Sequence, residues 1–161
     1  NKGVLRKIYL AFYQSKLFYG LPLWGGTFDY IIHPLKVVQN STIRSLFGTS
    51  DNYSATKLYS QYELLPIPFL YQYIMLLYII KNKNLFSLYL FNRNANLPLL
   101  FEQKFFKTKN RNSMIYQAPI IYNNMLKTDD KFKDAICEER SIYTLKKIIK
   151  QNFLIKMKNL I

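Results

Sequence analysis

The stretch from Phe69 to Asn82 has no polar face. Leu70, Tyr73, Ile74, Leu76, Leu77, Tyr78, Ile79 and Ile80 surround a helical wheel almost completely, and such a helix is stable only at the centre of a core or under a partner. Leu65-Pro66-Ile67-Pro68 forces an extended entry into it, because a residue before proline avoids the helical region. The run from Ile67 to Ile80 is too short to span a bilayer and is interrupted by Pro68, Tyr71, Gln72 and Tyr73, so no membrane partner is expected. The rest of the chain must therefore supply amphipathic elements that cover one buried helix.

Such elements are legible on both sides. Val4, Ile8, Ala11, Phe12, Ser15, Phe18 and Tyr19 recur at steps of three and four, with Leu5 and Tyr9 beside them. Lys2, Arg6, Lys7, Gln14 and Lys16 take most of the opposite side. Gly20 is expected to end this helix and Pro22 to prevent its continuation. Trp24, the only tryptophan, then reads as an anchor in the turn before Gly25-Gly26. Pro34 to Phe47 reads as a helix with proline in its first turn and Gly48 as its stop. Its inner stripe is Leu35, Val38, Thr42, Ser45 and Leu46, widened by Ile43 and Phe47, with Lys36, Gln39, Asn40 and Arg44 largely outside. Ser54 is placed to cap a short helix carrying Leu58, Tyr59 and Tyr62.

Downstream, helical patterns return from Ala118 to Lys127 and from Lys131 to Cys137. A last helix starts at an N-cap Ser141 and sets Ile142, Leu145, Ile148, Ile149 and Phe153 against Lys146, Lys147 and Lys150. Asn92 to Ser113 is irregular and basic, with room for one short strand or hairpin near Glu102 to Lys107. The expected class is mainly α: an irregular bundle of about six helices with a basic loop and one short β-hairpin, divided as residues 1–91 and 92–161.

Charge narrows the function. Across 161 residues there are 23 Lys and Arg against 9 Asp and Glu, and the net charge of +14 calls for a polyanionic partner: nucleic acid, or less often acidic lipid. Lys104, Lys107, Lys109 and Arg111 lie among Phe105 and Phe106, an arrangement that could track phosphates while rings stack on bases, or equally a solvated loop with two rings turned inward. Catalytic groups are sparse. Cys137 is the only cysteine and His33, beside Pro34, the only histidine, which removes thiolate zinc sites and leaves nucleophile–histidine chemistry a single position. Asp129-Asp130 is the only pair of adjacent aspartates, and its place before a helix reads as favourable interaction with the positive end of the helix dipole. No phosphate-binding loop, nucleophile elbow or metal-ligand spacing occurs. No catalytic or metal residue is expected. The chain begins with Asn1 rather than Met, which suggests a piece of something longer.

The order of landmarks resembles the region just after the catalytic palm in reverse transcriptases of non-LTR (LINE-type) retrotransposons. Tyr19-Gly20 followed by Trp24-Gly25 is similar to that family's Tyr-Gly and Trp-Gly pair. Leu35, Gln39, Ile43-Arg44 and Gly48 resemble its next helix, and Leu64-Leu65-Pro66-Ile67 its Leu-Leu-Pro-Ile segment. Ala118-Pro119-Ile120-Ile121-Tyr122-Asn123-Asn124-Met125 looks like its Gly-Pro-x-x-Tyr-Asn-x-Leu pattern with Ala for Gly, and Tyr143 to Lys147 approximates its closing helix. The segment Lys107 to Arg111 is poorer in arginine than the family's. The resemblance implies a thumb-like helical domain in residues 1–91, with a basic loop and helical extension in 92–161, gripping an RNA/DNA primer-template beside a palm that holds the aspartates and magnesium. Together, charge and resemblance nominate Arg6, Lys7, Lys16, Lys36, Arg44, Lys104, Lys107, Lys109 and Arg111 as nucleic-acid contacts. Tyr19, Gly20, Trp24, Gly25, Gln39, Pro119, Tyr122 and Asn123 are nominated as structural motif residues. The rival expectations are an independent basic helical binding module derived from such an element, and a peripheral membrane-binding domain.

Overall fold

The structure, a computed structural model, describes residues 1–86, 88–89, 100–101 and 113–159. The chain is mainly α. Its elements are α1 (Lys2–Ile8), a π-helical segment (Tyr9–Gln14), α2 (Ser15–Trp24), α3 (Asp29–Phe47), α4 (Ala55–Gln61), α5 (Ile67–Lys81), a 3₁₀ turn (Lys83–Leu85), β1 (Leu88–Tyr89), β2 (Leu100–Phe101), α6 (Met114–Thr128), α7 (Asp130–Cys137) and α8 (Ile142–Lys158). The two strands pair antiparallel, Leu88 with Phe101 and Tyr89 with Leu100. The hairpin position expected at 102–107 and the boundary expected at 91/92 lie outside the described residues. Two compact units emerge, residues 1–71 with 153–161, and residues 72–152.

In the first unit, α1, the π segment and α2 run on as one helical rod to Trp24. This corrects the stop expected at Gly20 and Pro22. Pro22 falls in the last turn, where it forfeits one i→i−4 bond and only Leu23 and Trp24 follow it in the helix. Gly20 instead makes room: the Trp24 indole folds back on it, and a Cβ there would meet the indole nitrogen at 2.6 Å. Gly25 is likewise a close-approach glycine, since a Cβ would run into the Tyr71 ring and lie 2.6 Å from the Leu21 carbonyl oxygen. Thr27 closes the turn by donating from its hydroxyl to the Trp24 carbonyl at 2.8 Å.

The face of the rod turned to the core also differs from expectation. Tyr9, Leu17 and Leu21 are buried, whereas Val4, Ile8, Phe12 and Tyr19 of the expected stripe are exposed. The reason is the pitch. In an unbroken α-helix, at about 100° per residue, Leu17 and Leu21 would stand roughly 80° and 120° round from Tyr9. The wider π turns take up that rotation and bring the three onto one line. A fixed step of 3.6 residues misses this alignment.

Helix α3 starts at Asp29, five residues before the expected Pro34, and Pro34 sits inside it. Its stop is as expected: Gly48 takes the left-handed conformation (φ 65°), with its N–H on Ser45 and that of Thr49 on the Arg44 carbonyl. Ile32, Gln39 and Ile43 are buried, and Val37 and Val38 are half-exposed. The inner face is therefore rotated from the expected stripe, and Gln39, expected outside, lies within. Ile43, Ala55, Leu58, Tyr59, Tyr62, Leu64, Tyr9 and Met157 make the core of this unit, and the Phe47 ring stacks on Tyr62 at 3.6 Å between centroids. Phe69 at the start of α5 stacks on Phe153 at 5.5 Å.

In the second unit, Ile74, Met75, Leu76, Ile79 and Ile80 of α5 are buried, as its all-round apolar wheel requires. Buried Ala118, Tyr122, Met125 and Leu126 of α6 join Phe132 and Ala135 of α7, with Tyr122 edge-on to Phe132 at 5.7 Å. Ser141 caps α8 as expected, accepting from the Thr144 N–H at 3.3 Å.

Candidate nucleic-acid interface

Gln39 organises the polar interior of the first unit. It is only 1% exposed, and three of its four hydrogen-bonding positions are used. Its Nε2 donates to the Tyr9 hydroxyl oxygen at 2.8 Å and to the Leu65 carbonyl at 3.1 Å, and its Oε1 accepts from the Ile67 N–H at 2.9 Å. One side chain thus ties the π segment and α3 to the extended Leu64–Pro66 approach and the start of α5. A buried amide in that position is stable because its partners would otherwise be orphaned, at about 1–3 kcal/mol each. Beside it the Tyr59 hydroxyl donates to Asn40 Oδ1 at 2.9 Å. Burial pushes the Tyr9 and Tyr59 phenols well above their ordinary range, the Gln39 contact partly offsetting this at Tyr9.

An open cleft of about 400 Å³ lies over this network, with Lys36, Asn40, Tyr59, Pro66, Phe69 and Met157 in its wall. Lys36 stands 2.5 Å from Asp29 Oδ1, and its hydrogen bond and charge hold the Asp29 carboxyl below its usual range. Arg6 donates from Nε to the Tyr62 carbonyl at 2.7 Å and lies 3.6 Å from Glu63. Arg44 donates to the Tyr53 carbonyl at 2.8 Å. These three candidate contacts are thus also used inside the fold, Arg6 and Arg44 on loop carbonyls and Lys36 on the first residue of its own helix. Lys7 and Lys16 point outward from the rod. Lys104, Lys107, Lys109 and Arg111 lie outside the described residues.

The motif residues divide by role. Gln39, Pro119, Tyr122 and Asn123 are buried, Gly20 and Gly25 are packing glycines, and Trp24 is half-buried against Gly20. Tyr19, by contrast, is 86% exposed. The Asp129-Asp130 pair is a helix start: Asp129 Oδ1 caps the Phe132 N–H at 3.1 Å and Oδ2 accepts from Asn152 at 2.6 Å. Among the described residues no three His, Cys, Asp or Glu side chains come together as a metal site, and no helix is long and apolar enough to cross a membrane.

A basic surface absent from the sequence candidates is on α8. No carboxylate side chain follows Arg140, so Lys146, Lys147, Lys150, Lys156 and Lys158 have no acidic neighbour in sequence. Leu145, Ile149, Phe153 and Met157 are turned inward at steps of four, which leaves Lys147 and Lys158 exposed. The signal was present in the absence of acids after residue 140, which a search for dense basic clusters overlooks. Compared with protein-family models, curated proteins and solved structures, the chain matches none.

Proposed function

We propose that this chain is a non-catalytic, nucleic-acid-gripping helical part of a retrotransposon RNA-directed DNA polymerase, thumb-like in role. The observation that supports it is where the charge sits. The +14 excess includes outward lysines on two helical stretches that carry no carboxylate side chain, residues 2–24 and 142–158, while several carboxylates serve caps and ion pairs at Asp129, Asp29, Glu63 and Glu138. Lysines in that setting read phosphate rather than sequence. The partners in this reading are an RNA/DNA primer-template and the polymerase palm, and magnesium belongs with the palm's aspartates, outside these residues.

The test is binding to an RNA–DNA hybrid and to duplex DNA across salt. Log affinity should fall linearly with log salt at about −0.9 per phosphate neutralised on duplex DNA, with little preference between unrelated sequences. Affinity that stays level between low and physiological salt refutes the reading. Sequence-selective binding would instead favour an independent module. Primer extension with magnesium and deoxynucleotides should give no product from this chain alone.

A further inference from the structure

The rod formed by α1, the π segment and α2 carries an outward apolar ridge of Val4, Ile8, Phe12, Tyr19 and Leu23, the last three 71%, 86% and 77% exposed. At the ~150–250 Å² that one aromatic side chain can bury, Phe12 and Tyr19 at those exposures offer about 300 Å², and Val4, Ile8 and Leu23 extend the ridge. That puts it at the size of the largest patch on an ordinary monomer, ~300–600 Å² and often functional. Pairing two copies would bury an interface at the small end beside the ~800 Å² each partner contributes to a standard one.

The ridge reads the same from both ends. About a midpoint between Tyr13 and Gln14, Val4 mirrors Leu23, Ile8 mirrors Tyr19, and Phe12 mirrors Ser15. An antiparallel two-fold pairing therefore sets each large exposed side chain opposite either a partner of different size or the small Ser15. Lys7 mirrors Gly20 and Lys16 mirrors Ala11, so the two copies of Lys16 stand five helical steps or ~7.5 Å apart along the axis, and their repulsion makes the pairing salt-dependent. A self-complementary patch of this kind is what a two-fold interface requires. We propose that the ridge is a homodimer surface, two copies of this chain pairing their N-terminal rods antiparallel about residues 13 and 14.

This does not rest on the nucleic-acid reading, and salt separates the two. Screening weakens repulsion between copies of charge +14 and so strengthens the dimer, whereas it weakens phosphate binding. Sedimentation equilibrium of the chain should show a concentration-dependent dimer, its dissociation constant falling as salt rises. Tyr19→Glu should abolish the dimer with unchanged circular dichroism, because that side chain is almost wholly exposed. In a Cys137→Ser background, Ser15→Cys should cross-link under mild oxidation, since the two copies of position 15 lie only three helical steps apart, about 4.5 Å along the axis. Leu23→Cys should not, its two copies standing nineteen steps or ~28 Å apart. A monomer at all concentrations overturns the proposal, including one that sediments with anionic vesicles through this ridge. So does a dimer that survives Tyr19→Glu, or one that cross-links equally at positions 15 and 23.

Discussion

The N-terminal rod and α8 are both basic helical stretches without a carboxylate side chain, yet the apolar side chains they show to solvent differ. Helix α8 turns Leu145, Ile149, Phe153 and Met157 inward and shows lysines. The rod turns Tyr9, Leu17 and Leu21 inward and shows Phe12, Tyr19 and Leu23. Composition alone makes them equivalent; burial gives the rod a continuous outward apolar ridge beside its lysines, while on α8 only Ile142, Tyr143 and Ile155 are exposed among the large apolar side chains. An apolar stripe read from sequence thus says how wide a face is, and not which side the core will take.

The largest effect should come from paired truncations. Phe153→Ala removes a ring that is 1% exposed and stacked on Phe69, and should cost about 3–5 kcal/mol in denaturant unfolding. Phe12→Ala, on the rod's outer face, should change the monomer's stability by no more than about 0.5 kcal/mol. Equal losses would break the comparison.

Next comes the point where the rod is tied down. Gln39→Ala leaves the Ile67 N–H and the Leu65 carbonyl without their partner and frees the Tyr9 hydroxyl. A loss of about 2–4 kcal/mol is expected from those orphaned groups, with amide exchange rising in residues 2–24 more than in α8. Uniform exchange through both helices would show that Gln39 does not set the rod's attachment.

Alkaline pH should act in the same direction. Burial raises the Tyr9 and Tyr59 phenols from their ordinary value of 10.0, and Tyr71 is pushed up to about 12. Below pH 10 both folded and unfolded chains hold these protons, so stability is level. Between about 10 and 12 the unfolded chain releases them while the folded chain does not, so stability falls as pH rises. The melting temperature, followed with tyrosinate absorbance, should drop through that window. A flat profile to pH 12 would mean that the buried phenols do not govern alkaline stability. The smallest effect belongs to α8's lysines. Lys147→Gln should leave folding unchanged and flatten the salt slope of duplex DNA binding by about 0.9, the contribution of one phosphate.

Much of this fold was legible because its signals are local. Gly48, Ser141 and the Asp129 helix start need only a residue's own turn, Ser54 takes the N-cap position without a side-chain capping bond, and α5 announces burial through composition. What escaped depends on distant partners. Gln39 looks like a solvent-facing residue until Tyr9, Leu65 and Ile67 come to meet it. Gly20 looks like a stop until Trp24 folds over it. Pro34 looks like a start because proline is commonest there, although helix Asp29–Phe47 admits it further in. Of the candidate interface, the sign of the charge was readable, but not which cations the fold also uses inside: Arg6, Lys36 and Arg44 differ from Lys7 and Lys16 only by what surrounds them.

The π segment also absorbs a difference in length. Measured against ordinary helical pitch, Tyr9–Gln14 holds a surplus residue, the signature left when one amino acid is inserted into a helix whose two ends are already committed. Deleting a residue between Leu10 and Gln14 would let the rod close to plain α-helix with Leu17 and Leu21 still within about 20° of the line of Tyr9, since seven and eleven steps of about 100° return to it. Forcing the segment to α-helical pitch with every residue kept would instead swing everything from Ser15 onward by about 100°, taking Leu17 and Leu21 off that line and the second half of the ridge with them. The chain thus keeps its phase there by widening its turns to hold one residue more than an α-helix needs.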